Sequence, residues 1–170
     1  SIAMGSGAKA SGDYSTAMGY KTISSGNTSI AIGGLTEASG DISIAMGSFT
    51  KAESYNSMAI GNFNIGGGDP INWIEDDPLF EIGNGGGSTL SNSLTVLKNG
   101  NTGIGTHTPQ SLLHIKQDET YLGIRLEYIS TAYWDTYVDA AQDYNFAYNG
   151  TLRGYINDSD GSYNAMSDKK

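Results

Sequence analysis

Four residues in one short run, Tyr133, Trp134, Asp135 and Tyr137, are of the types that recognise a sugar ring. Aromatic faces stack on the C–H side of a pyranose, and a carboxylate accepts from its hydroxyls. The run is therefore the ligand-binding candidate of this chain. The competing reading is that the rings fill the axis of an oligomer or cover a small β domain, because large aromatics dominate cores. Hydrolysis of a glycan would need two carboxylates at a defined separation. Only about 45 residues of aromatic-rich sequence are available, little for a cleft of roughly 300–1,000 Å³. No catalytic residue is assigned, and the chain is expected not to be an enzyme.

Other chemistry-bearing residues give weaker signals. "GNGGGS" and "GIGTHT" are Gly-rich, but neither ends in the GK[ST] of a phosphate loop or opens a long helix. His107 and His114 stand seven apart with no carboxylate in a ligand pattern. Asp69, Glu75, Asp76 and Asp77 form an acidic knot with no base beside it in sequence. It lacks the spaced loop of a calcium site and reads as a solvated connector. Asp158 and Asp160 before Gly161 read as a hairpin turn. No metal site and no cofactor are expected.

The elements that would position these residues follow from a repeat. "SIAMGSGAKASGDY" is succeeded by "STAMGYKTISSGNT", "SIAIGGLTEASGDI", "SIAMGSFTKAESYN" and the partial copy "SMAIGNFNI". Serine recurs at Ser1, Ser15, Ser29, Ser43 and Ser57, alanine two places on, and glycine at Gly5, Gly19, Gly33, Gly47 and Gly61. A fixed period of 14 residues is too short for a helical repeat, which needs roughly 33 or more. Two short strands and two turns per copy make one coil of a β-solenoid. At about 4.8 Å per coil, five coils give a rod of roughly 24 Å.

A 14-residue coil encloses almost no interior, so Ala and Ser take the inward positions. The Ile/Met row (Ile2, Met4, Ile30, Ile32, Ile44, Met46, Met58, Ile60) is then left outside. Such a roll buries too little apolar surface to offset chain entropy on its own. Several copies packed around an axis would cover the row. The pattern predicts an oligomer.

The S-x-A-x-G-x-x-[AT]-x-A-x-G pattern over residues 1–61 resembles the head repeats of the trimeric autotransporter adhesins. The resemblance implies an all-β fold, a left-handed parallel β-roll that assembles as a homotrimer. Ser54 departs from it, standing where the earlier copies have Gly12, Gly26 and Gly40, which suits the end of a solenoid.

Composition narrows the partners. The 170 residues carry a formal net charge of −9 and no cysteine. Nucleic-acid binding relies on Lys and Arg neutralising phosphates, so no nucleic-acid partner is expected. A basic patch for anionic membranes is missing as well, and no apolar run approaches the 18 residues of a spanning helix. A disulfide framework and a thiolate site are both excluded. The first residue is in phase with the repeat, so the chain reads as a piece of a longer array, with any secretion signal outside it.

Five segments are expected: a roll over residues 1–65, a Gly-rich acidic connector over 66–88, a hairpin and short-turn trimerisation segment over 89–118, an aromatic-rich distal β domain over 119–166, and the start of a further domain at 167–170. Gly66 to Gly68 and Pro70 end the roll, and "PLFEIG" reads as an edge strand. Asn99-Gly100 signals a hairpin, Thr108-Pro109 the start of a helical turn, and Leu112–Ile115 a strand. Eight of the 11 tyrosines fall between Tyr121 and Tyr163, in β-rich runs that end in a hairpin around Asp160-Gly161. "LTVLKNGNTGIGTHTPQSLLHI" resembles a segment common in phage tail fibres. "DGSYNAMSDKK" resembles the junction at which an endosialidase-type intramolecular chaperone begins. In that family the matching serine, here Ser167, is the autoproteolytic cleavage residue. The partner lysine would lie beyond Lys170.

Together these readings predict a β-roll followed by a small, intertwined β-rich trimeric head. The expected role is the distal part of an extracellular fibre or adhesin at a cell surface, virion or injection system, contacting a cell-surface receptor or glycan. The alternative is a spacer and trimerisation segment of a phage or contractile-injection tail fibre whose binding site lies elsewhere.

Overall fold

A computed structural model describes residues 1–116, 123–129, 132–157 and 159–166. The described residues contain strands, turns and bends and no helix. They form two compact units, Ser1–Lys116 and Gln117–Lys170.

Each repeat contributes one longer strand: β1 (Ile2–Met4), β3 (Thr16–Tyr20), β5 (Ile30–Gly34), β7 (Ile44–Ser48) and β9 (Met58–Asn62). The first four copies add a two-residue strand: β2 (Lys9–Ala10), β4 (Ile23–Ser24), β6 (Glu37–Ala38) and β8 (Lys51–Ala52). Both series stack in parallel with a register of 14, so Ala17 lies on Ala31, Ala31 on Ala45 and Ala45 on Ala59. The expected β-solenoid is present.

Side-chain volume explains why the repeat tolerates so little variation inside. The buried residues of the middle coils are Ala17, Ala31, Ala38, Ala45 and Ala52, with Ser15, Ser24, Ser29, Ser43, Thr22, Thr36 and Thr50. Two facing strands this close leave room for a methyl or hydroxyl and nothing larger. Ser29 Oγ lies 2.6 Å from both Gly26 O and Ser24 Oγ, so the polar interior is partly stitched across the coil. Ile30, Ile32, Ile44, Met58 and Ile60 are half-buried on the outer face, and Met18 and Met46 are exposed.

The turn glycines are set by space and not by backbone conformation. Gly12, Gly26 and Gly40 do not have positive φ. They are small because an added Cβ would stand 2.0–2.1 Å from the carbonyl oxygen of the next coil. At the equivalent place Ser54 lies against Gly68, fourteen residues on, and its hydroxyl donates to Pro78 O. The left-handed corners fall instead on every seventh residue: Gly7, Tyr14, Lys21, Thr28, Leu35, Ile42, Phe49, Asn56 and Phe63, with φ between 47° and 72°. Corner amides bond to the coil before, as in Thr28 N to Asp13 O at 2.6 Å and Ile42 N to Asn27 O at 2.7 Å. That ladder holds non-glycine residues in a conformation they rarely adopt.

The sheet does not stop at the glycines. β10 (Pro78–Asn84) adds to β9 in parallel, and β11 (Asn92–Leu97) adds to β10 antiparallel. "PLFEIG" is therefore an inner strand and not an edge. β12 (Thr102–Ile104) closes the Asn99-Gly100 hairpin, and β13 (Leu113–Ile115) pairs with β12 in parallel. Residues 106–112 form bends without the expected helical turn. In the second unit, β14 (Ile124–Ile129), β15 (Ala132–Val138), β16 (Tyr144–Tyr148), β17 (Thr151–Ile156) and β18 (Tyr163–Ala165) form an antiparallel meander in sequence order.

Candidate functional site

The four candidate residues share β15, but strand geometry divides them. Successive side chains point to opposite faces, so Tyr133, Asp135 and Tyr137 take one face and Trp134 the other. Register with the neighbouring strands, Arg125↔Asp135 and Leu126↔Trp134, extends both faces. They do not make one aromatic cluster.

On the Asp135 face the carboxylate is already engaged. Arg125 donates from Nε to Asp135 Oδ1 at 2.7 Å and from Nη2 to Oδ2 at 3.0 Å, a bidentate pair. The guanidinium carbon lies 3.8 Å from the centroid of the Tyr133 ring, a cation–π stack. The hydrogen bond to Asp135 raises the Arg125 pKa further above its ordinary value, and the cation is permanent. Asp135 and Tyr137 are buried, as is Asn145, whose Nδ2 donates to Asp139 Oδ2 at 3.0 Å. Arg125 was missed in the sequence because it lies ten residues upstream, and only the β14–β15 register brings it here.

Trp134 is 48% exposed on the opposite face, with its ring centroid 5.3 Å from that of Tyr148. Ser167 lies outside the described residues, as does Asp158.

The first unit holds two polar centres that the sequence did not reveal. The inward alanine row continues in register from Ala59 to Glu81 and Thr95. Glu81 is buried there and accepts from Asn64 Nδ2 and Asn92 Nδ2, both at 2.5 Å, and from Gly66 N at 3.2 Å. Burial pushes its carboxyl above the ordinary glutamate range, and these donors pull it back. The network plugs the end of the roll.

The acidic connector has a base after all. Lys98 extends its buried side chain to within 3.8 Å of Asp77 Oδ2 and 5.2 Å of the Trp73 ring centroid. Burial lowers its pKa, opposed by Asp77 and Asp69. Asp69 accepts from the amides of Ile71 and Asn72, which holds its carboxyl below the usual range. Asp76 accepts from Asn99 Nδ2 at 2.9 Å. These carboxylates fold the connector onto the hairpin. Among the described residues no group of three His, Asp or Glu side chains is placed to hold a metal. His107 and Asp76 line a cleft of about 270 Å³ with Leu97 and Pro109, while His114 accepts weakly from Gln110 N at 3.4 Å.

Inward alanine and serine, glycine under the next coil's carbonyl, and an outward Ile/Met row define the roll, and one family model recognises it. Residues 1–22, 24–50 and 38–64 match the YadA head domain repeat, described as two copies. The roll is similar to YadA head repeats. The match ends at Asn64, where the side chain turns inward to bond Glu81 and Lys51, and the 14-residue stack gives way to the plug. No curated protein and no solved structure matches the chain.

Proposed function

We propose that this chain is the distal part of a homotrimeric extracellular fibre or adhesin that attaches to a cell surface or glycan. The observation that carries the reading is the outer face of the YadA-type roll. Its interior is filled by Ala, Ser and Thr, so the half-exposed Ile/Met row is left uncovered by the described residues of the first unit. Burial of apolar surface is worth about 25 cal/mol per Å², and a row repeated over five coils offers copies a continuous seam. The adhesin-type character of the repeats supports an extracellular, surface-exposed setting.

Attachment would fall to the Asp135 face of the second unit. Half-buried Tyr133 stacked on exposed Arg125 presents a planar aromatic–cation pair, and Tyr and Arg are enriched in contact hot spots. Fluorescently labelled protein should bind target cells or a glycan array saturably. Tyr133→Ala should weaken that binding at least tenfold without changing the sedimentation coefficient. Binding that Tyr133→Ala leaves untouched would remove this face from the attachment role.

A second reading, a spacer and trimerisation segment of a tail fibre, is favoured by one specific observation. Both Asp135 oxygens are spent on Arg125, and Trp134 lies on the other face, so the proposed sugar-binding group is not assembled. Under either reading a chaperone domain following Ser167 would be released by self-cleavage. Ser167→Ala in the full-length polypeptide should leave it uncut, and normal cleavage would dismiss that serine.

A further inference from the structure

The second unit is a single-layered sheet, and its two faces differ in kind. The Asp135 face carries Arg125, Glu127 and Asp135. The other face carries Ile124 and Leu126 from β14, Trp134 from β15, Tyr144 from β16, Ile156 from β17 and Tyr163 from β18, placed side by side by the register. Each of these six is 37–68% exposed. Phe146 and Gly154 continue the face between them, with the Tyr163 ring lying over Gly154. No charged residue occupies the described positions of this face in β14, β15 or β16.

We infer that this apolar face is a self-association surface, packed against the same face of other copies of the chain. The inference rests on the homotrimer proposed above. Three observations select a second copy as the occupant. The six side chains expose roughly 700 Å², close to the about 800 Å² each partner contributes to a standard interface. The chain as a whole carries a charge of −9, so copies repel least where a face bears no carboxylate, and the described residues of this face bear none, with the Arg153 guanidinium lying 5.9 Å from the centroid of the Tyr148 ring. Finally, only residues 117–122 separate the described parts of the two units in the chain. Six residues span about 20 Å at most, so trimerisation of the roll would hold three such faces at an effective concentration in the millimolar range. A modest interface is then enough.

The inference assigns Trp134 to subunit packing and leaves Tyr133 and Arg125 outside. The chain has no native cysteine, so a single introduced cysteine reports only distances between copies. Spin labels at Leu126→Cys should couple strongly in the full chain, because facing sheets pack about 10 Å apart and labels on them fall within about 20 Å. Labels at Glu127→Cys, on the other face, should lie farther apart. In unlabelled Trp73→Phe protein, Trp134 fluorescence should resist acrylamide several-fold better than free tryptophan does. A trimer, verified by sedimentation, in which the Glu127 labels are the closer pair, or in which acrylamide quenches Trp134 as it does free tryptophan, overturns the inference and leaves the fibre reading standing. A folded monomer would overturn both.

Discussion

Lys98 and Glu81 show how much single residues decide in a chain with so small an interior. Lys98 buries an ammonium whose nearest carboxylate oxygen in a described ion pair is Asp77 Oδ2, at 3.8 Å. Removing one member of a buried pair leaves the other uncompensated, which costs about 3 kcal/mol. Lys98→Met should therefore lower the urea-unfolding free energy of the first unit by about that amount. Lys98→Met combined with Asp77→Asn should recover most of it. Glu81 acts in the opposite sense with pH. Its folded pKa is raised, so the folded state holds the proton more tightly than the unfolded state, and stability rises as pH falls from the raised value towards the ordinary one. Asp69, with its lowered pKa, contributes stability that is lost only below about pH 4. The melting temperature should thus climb on mild acidification, and Glu81→Gln should flatten that climb. Neither residue was legible in the sequence. Both owe their roles to strand pairings between β9, β10 and β11, and the acidic knot looked baseless because its base is 21 residues downstream of Asp77.

The coil is the element in which the sequence speaks most clearly, though not for every reason read from it. The 14-residue period, the inward alanines and the outward Ile/Met row follow from residue volumes alone, and the structure has all three. Glycine's place was legible while its cause was not. The Gly33 row combines φ near 130° with a Cβ position 2.0 Å from the Gly47 carbonyl oxygen. Gly33→Ala should therefore prevent stacking and abolish the cooperative thermal transition. The seven-residue corners were invisible because Tyr, Lys, Leu, Ile and Phe do not advertise a positive φ. Exposed Thr28, at φ 58°, bears a β-branched side chain in a conformation that costs such residues roughly 1–2 kcal/mol. Thr28→Asn should raise stability by up to about 1 kcal/mol, since Asn tolerates that region. A chemical denaturation midpoint would register the gain. The helical turn expected at Thr108-Pro109 fails for a local reason: the chain bends there to bring β13 back alongside β12.

At the scale of the whole molecule, two different surfaces ask for the same partner. The outer row of the roll and the apolar face of the distal sheet are each exposed or half-exposed within their own unit. The candidate site was half legible: sequence found the aromatic run on β15, but a run of neighbours on a strand cannot be one cluster, because alternate side chains leave by opposite faces. The central claim is that this chain folds only as a trimer, and one residue tests the faces of the roll. Ile30→Asp puts a charge into the outward row and should abolish assembly, whereas an unchanged trimer would mean that the row does not face the axis. Sedimentation equilibrium of the unmodified chain tests the claim most directly. The account predicts a single species of three times the 17.9 kDa chain mass at every accessible concentration, with loss of β structure whenever it dissociates. A folded, stable monomer would contradict it.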